Sequence, residues 1–109
     1  CYRIPCVRTC VTTEQGKEWC PDNSFDGKEK LKYENKLLTL KVGLANSINY
    51  MSAELIKRFG ANAVVNLARR MGITLQMDPV PSICLGTCDA SVYEMVAANS
   101  TFANKGTYV

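Results

Sequence analysis

Few residues in this chain are spaced for chemistry. The 109 residues include no His, which removes Ser-His-Asp relays and histidine-based metal centres. Neither a Gly-x-Gly-x-x-Gly turn nor a phosphate-cradling P-loop occurs. What remains is Ser47-Ile48-Asn49, the one Ser-x-Asn triplet in the sequence. Serine acyl-transfer sites that use Lys in place of His combine three pieces, a Ser-x-x-Lys nucleophile, a Ser-x-Asn element and a Lys-Thr-Gly strand. The first and third are absent here, and Lys105-Gly106-Thr107 has the composition of the third in the wrong order, where a helix should end. Taken alone, Ser47 and Asn49 also suit a helix-capping pair, because Ser and Asn lead the N-cap preferences, and the two roles are compatible.

The elements around the triplet read as mainly helical. Val7 to Trp19 alternate loosely about Glu14-Gln15-Gly16-Lys17, which predicts two short strands joined by a turn. Phe25 to Lys36 are charged and show little periodicity, so a solvated loop is expected there. Thr39 can cap a short helix through Leu40, Leu44 and Ala45 that stops near Asn46-Ser47. Met51, Leu55, Ile56 and Phe59 form the apolar stripe of a second helix that ends at Gly60. Val64, Leu67, Ala68 and Met71 mark a third, with Arg69 and Arg70 in the last turn, where the helix dipole favours cations, and Gly72 as terminator. Asp78-Pro79-Val80-Pro81 is an extended connector. A capping box of Ser91 and Glu94 opens the last helix, which runs through Val92, Met95, Val96 and Phe102 and closes near Asn104-Lys105-Gly106. The expected organisation is thus one partial domain, with short strands and a charged loop over residues 1–36 and helices over residues 37–109.

The bulk composition narrows the partners. With 13 basic and 10 acidic residues the net charge is +3, and the charges are scattered rather than banked, which gives no nucleic-acid footprint. No run approaches the roughly 18 apolar residues of a membrane span, so no membrane contact is expected of this segment. Both ends read as internal to a longer protein, since Cys1 opens abruptly and Val109 follows a Gly-containing turn. Of the six cysteines, Cys1, Cys6, Cys10 and Cys20 lie early and Cys84 and Cys88 late. Free thiols, one or two disulfides and metal ligation all remain open. Metal is the poorest fit, with no Cys-x-x-Cys and no His, and neither a metal nor another cofactor is expected. Met51, Met71 and Met95 sit on apolar stripes and read as core. Asn99-Ser100-Thr101 fits the glycosylation pattern but falls inside a predicted helix.

A resemblance enters through longer stretches. Leu40-Lys41-Val42-Gly43-Leu44-Ala45-Asn46-Ser47-Ile48-Asn49, then Phe59-Gly60 and Leu67-Ala68-Arg69-Arg70-Met71-Gly72-Ile73, resemble the central helical region of class A penicillin-binding proteins. Pro81-Ser82-Ile83-Cys84-Leu85-Gly86-Thr87 is similar to the family's Pro-Ser-Leu-Ala-Leu-Gly segment. Tyr93-Glu94-Met95 and Thr101-Phe102-Ala103-Asn104-Lys105-Gly106 resemble its Glu-Met and Thr-Phe-Ala-Asn-Gly-Gly pieces. The likeness runs from Trp19 to Val109, while Cys84, Cys88 and Asn99 depart from the family pattern.

The resemblance implies about four helices from the all-helical subdomain of a penicillin-binding/serine β-lactamase-like transpeptidase domain, preceded by a short β-hairpin-like segment. It implies a D,D-transpeptidase that cross-links peptidoglycan stem peptides through a serine acyl-enzyme and is the target of β-lactams. Its place would be the periplasmic face of the bacterial inner membrane, anchored outside this segment. In that scheme Ser47 joins a proton relay, since a hydroxyl donates and accepts at once, and Asn49 orients the nucleophile's Lys partner and holds a substrate carbonyl. The partners implied are the stem peptide, β-lactams and the remainder of the transpeptidase domain. Without Ser-x-x-Lys and Lys-Thr-Gly the isolated segment should be inert. The competing expectation is a cysteine-stapled, non-catalytic interaction module of the same helical shape, which requires most of the six thiols to be paired.

Overall fold

The computed structural model describes residues 2–13 and 15–108. Two compact units emerge, Cys1–Arg58 and Phe59–Val109.

In the first unit, β1 (Arg3–Pro5) pairs antiparallel with β4 (Leu37–Thr39), setting Ile4 opposite Leu38. Residues on either side of the 36/37 junction therefore share one sheet. β2 (Val11–Thr12) and β3 (Glu18–Trp19) form the expected hairpin, shortened to a two-residue ladder. Its turn closes with Thr13 N–H on Lys17 O at 2.7 Å and Gly16 N–H on Thr13 O at 2.9 Å, while Glu14, part of the expected turn, lies outside the described residues. Ile4, Cys6, Ile48, Tyr50 and Met51 make the core, with Phe25, Tyr33, Leu38 and Leu55 packed against it.

The segment expected to be a solvated loop holds a helix, α1 (Gly27–Tyr33). The cause is a capping box: Glu29 N–H donates to Asp26 Oδ1 at 2.8 Å, and Asp26 N–H donates to Glu29 Oε2 at 3.1 Å. The signal was present as Asp-x-x-Glu, but Gly27 and the charged run that follows obscured it. No residue of α1 is fully buried, so the helix is held by its capping box together with the packing of Tyr33 against the core. After it come α2 (Leu40–Ala45), capped by Thr39 Oγ1, and α3 (Asn49–Phe59), which buries Met51 and Ile56 from its expected stripe and leaves Phe59 exposed.

The second unit contains α4 (Ala61–Arg70), a 3₁₀ turn over Pro81–Leu85 and α5 (Val92–Ala103). Val65 is the buried residue of α4, and Leu67, expected on its inner stripe, is exposed. Pro81 opens the 3₁₀ turn at its first position, where the missing N–H costs nothing, so the connector stops being extended one residue early. The 3₁₀ turn packs against α4 and buries Ile83. α5 is inverted. Its buried residues are Glu94, Ala98 and Thr101, whereas Val92, Val96 and Phe102, expected to pack inward, are 81%, 61% and 73% exposed. The four helices expected beyond residue 37 all form, and the described residues are mainly helical with two small antiparallel ribbons. None of the helices is long and apolar enough to cross a membrane.

Candidate functional site

The end of α2 fixes the position of Ser47. Ser47 N–H donates to Leu44 O at 3.2 Å and Ile48 N–H donates to Gly43 O at 2.9 Å, the paired bonds of a Schellman ending. That motif needs a left-handed residue after the cap, and Ser47 supplies it at φ 51°. Glycine is the usual occupant, so a side chain here is held against a local preference. Ile48 follows and is 1% exposed, seated in the core of the first unit. It anchors the junction between two more accessible neighbours, Ser47 and Asn49.

Asn49 is the first residue of α3. Its Nδ2 donates to Asp22 O at 2.8 Å, which leaves its Oδ1 available to accept. Tyr50 N–H donates to Asn23 Oδ1 at 3.0 Å, so the side chain that caps α3 comes from 27 residues earlier. The expectation that Ser47 and Asn49 form a capping pair is corrected on this point. Ser47 terminates α2 through its backbone, Asn49 lies inside α3, and Asn23 does the capping. Among the described residues Ser47 Oγ has no hydrogen-bond partner, so an exposed hydroxyl stands beside a fixed carboxamide on either side of one buried apolar anchor.

The closeness of α2 to α3 depends on Gly43. A Cβ at that position would stand 2.7 Å from Met51 Sδ and 2.9 Å from its Cε. Met51 is 2% exposed and fills the space that the absent side chain leaves. Gly43, which costs about 1 kcal/mol of helix propensity relative to Ala, is what lets the serine-bearing turn sit close to α3.

Burial favours the neutral thiol at Cys6 and Cys84. Burial pushes the Cys6 thiol up, and the nearby charge of Glu34 adds to the rise. Burial raises Cys84 as well. Cys10 and Cys20 are joined as a disulfide, while Cys6, Cys84 and Cys88 are free; Cys1 lies outside the described residues.

Glu94 is a polar feature that sequence reading placed only in part. Ser91 Oγ caps α5 by accepting from Glu94 N–H at 3.1 Å, as expected. The carboxylate does more than complete a box: Oε2 accepts from Thr74 N–H at 2.7 Å and Leu75 N–H at 3.2 Å, and Oε1 accepts from Ser91 Oγ at 3.2 Å. Burial alone would raise this carboxyl, but the N–H groups of Leu75 and Thr74 and the bonds from Ser91 outweigh it and hold it below the usual range. A cleft of about 590 Å³ opens nearby in the second unit, with Asp78, Asp89 and Cys88 in its walls, and it includes neither Ser47 nor Asn49.

The sequence is 34% identical over 93 residues to penicillin-binding protein 1A of Aquifex aeolicus, covering 85% of this chain and 12% of that protein. It is 35% identical over 92 residues to penicillin-binding protein 2D of Bacillus subtilis, covering 84% of this chain and 13% of that protein. No protein-family model and no solved structure matches the chain. It is therefore related to a segment of penicillin-binding proteins, and it spans about an eighth of the length of these two relatives.

Proposed function

We propose that this chain is part of the transpeptidase domain of a peptidoglycan D,D-transpeptidase, a serine acyl-enzyme that works at the periplasmic face of the bacterial inner membrane and is acylated by β-lactams. The observation that carries the reading is the α2–α3 junction, which exposes an unpaired Ser47 hydroxyl beside the oriented Asn49 carboxamide within a sequence related to penicillin-binding proteins. In the reaction, an attacking serine from elsewhere in the full protein displaces terminal D-Ala from a stem peptide and passes the acyl group to an amine of a neighbouring strand. Ser47 relays the proton between the Lys partner of that serine and the leaving nitrogen. Asn49 uses its free Oδ1 to orient the Lys, and its position at the start of α3 keeps its amide fixed while the substrate changes.

The exposed apolar face of α5 supports the same reading. A segment lifted from a larger domain leaves uncovered the face that packs against the remainder, and Val92, Val96 and Phe102 form such a face. The stapled-module alternative needs most cysteines paired, and only two of the five described ones are.

The test is acylation by a fluorescent penicillin, run on this chain and on the same gene extended through both flanking segments. Labelling of the extended protein alone, slowed by Ser47→Ala, is the expected result. An extended protein that does not label sinks the proposal.

A further inference from the structure

The β2–β3 hairpin brings together three metal-binding groups that are scattered in sequence. Val11 pairs with Trp19 and Thr12 with Glu18, so continuing the register outward sets Cys10 opposite Cys20, with their Cα atoms 4.3 Å apart. Glu18 precedes Cys20 by two residues, which in an extended strand puts both side chains on one face. The two sulfurs and a Glu18 carboxylate oxygen all lie within 4.8 Å of one another, with both cysteines half-buried and Glu18 exposed. In the oxidised chain the sulfurs are bonded to each other and cannot act as thiolates.

We propose that reduction of Cys10–Cys20 converts the hairpin into a Zn²⁺ site ligated by Cys10 Sγ, Cys20 Sγ and a Glu18 carboxylate oxygen, with water in the fourth position. Tetrahedral zinc with Zn–S bonds of about 2.3 Å holds two thiolates roughly 3.8 Å apart, a separation that facing hairpin cysteines reach by side-chain rotation while the strands keep their register. The chemistry balances in two steps. A dithiol reductant exchanges with the disulfide, leaving two protein thiols and the oxidised cyclic reductant. Zn²⁺ then displaces one proton from each thiol and takes up the Glu18 carboxylate. The same two sulfurs thus fasten the hairpin in either redox state, through a covalent bond or through a cation. Sequence could not reveal the site, because its spacing comes from strand register and its third ligand is a carboxylate.

The test compares the oxidised chain with the chain reduced by a phosphine, titrating Zn²⁺ against a chromophoric chelator and recording thiolate-to-metal charge-transfer and d–d bands with Co²⁺. One equivalent bound with tetrahedral Co²⁺ spectra in the reduced chain, and none in the oxidised chain, is the expected result. Glu18→Gln should weaken Zn²⁺ binding at least about tenfold, judging from the 10–100-fold effect of losing mere outer-shell partners. The Cys10→Ser/Cys20→Ser double variant should lose the site while Cys6, Cys84 and Cys88 remain, and circular dichroism of that variant and of the reduced chain reports whether each stays folded. Equal binding by the oxidised chain, binding retained by the double variant, unchanged affinity in Glu18→Gln, or a reduced chain that takes up no zinc would each overturn the proposal.

Discussion

Asn49 donates its side-chain amide to the backbone carbonyl of Asp22, 2.8 Å away and 27 residues earlier, and next to it Asn23 returns an oxygen to the Tyr50 N–H. The start of α3 is thus stitched to a distant loop by two reciprocal bonds. Asn23→Ala removes the cap and should cost about 0.5–2 kcal/mol, and Asn49→Ala about 0.5–1.5 kcal/mol. Both bonds fasten the same loop to the start of α3, so the double variant should cost less than the sum. Urea unfolding of the three variants checks this, and strict additivity would show that the two bonds act independently.

Ser47 gives a sharper test, because its backbone and its hydroxyl point to opposite outcomes. At φ 51° an L-residue is held in the left-handed region at a cost of about 1–2 kcal/mol, which glycine does not incur. Ser47→Gly should therefore raise stability by up to about 1 kcal/mol, while in the extended protein it should slow acylation by a fluorescent penicillin as strongly as Ser47→Ala does. Ser47→Ala keeps the strain and loses an unpaired hydroxyl, so its stability should move by less than about 0.5 kcal/mol. A Ser47→Gly variant that melts lower than the parent chain would count against the left-handed turn.

The helices of residues 37–109 were legible because apolar spacing, capping residues and terminal glycines agree there, as at Gly60 and Gly72. Besides α1, whose capping signal was hidden by Gly27 and the charged run, three features were not. The periodicity of α5 marks Val92, Val96 and Phe102 as an inner face, yet the Glu94 bonds to Thr74 and Leu75 turn that face outward. Hydrophobic patterning says which residues share a side, and only the partner says which side is covered. The Cys10–Cys20 pairing depends on strand register, which six cysteines with fifteen possible pairings leave open. For the site, the Ser-x-Asn spacing located Ser47 and Asn49, but the Schellman turn and the Asp22 contact that hold them are products of the fold.

Gly43 and Met51 should behave as a coupled pair. Alanine at position 43 gains about 1 kcal/mol of helix propensity but drives Met51 Sδ out of place, and overpacking of this kind costs about 1–3 kcal/mol. Gly43→Ala alone should then be neutral to destabilising. Met51→Ala, which leaves a cavity in the core, should cost about 2–5 kcal/mol. In that background Gly43→Ala should become stabilising, giving a favourable coupling of about 0.5–3 kcal/mol in a double-mutant cycle. Zero coupling would mean that the close approach of α2 to α3 does not persist in solution.

Glu94 ties stability to acid. Its folded-state carboxyl is held below the ordinary value, so it binds fewer protons when folded than when unfolded. The sign follows: its contribution is fully present above the ordinary Glu pKa of about 4.3 and is lost as pH falls through the lowered folded value. Glu94→Gln keeps the shape and an acceptor oxygen but removes the charge that gathers the Thr74 and Leu75 N–H groups. The variant should melt lower than the parent chain at neutral pH, and the gap should close on acidification below about pH 4.3. Thermal melts of both proteins across that range, with hydrogen exchange at the Thr74 and Leu75 amides, check this together. A gap that stays constant with pH would assign the loss to packing rather than to the carboxylate.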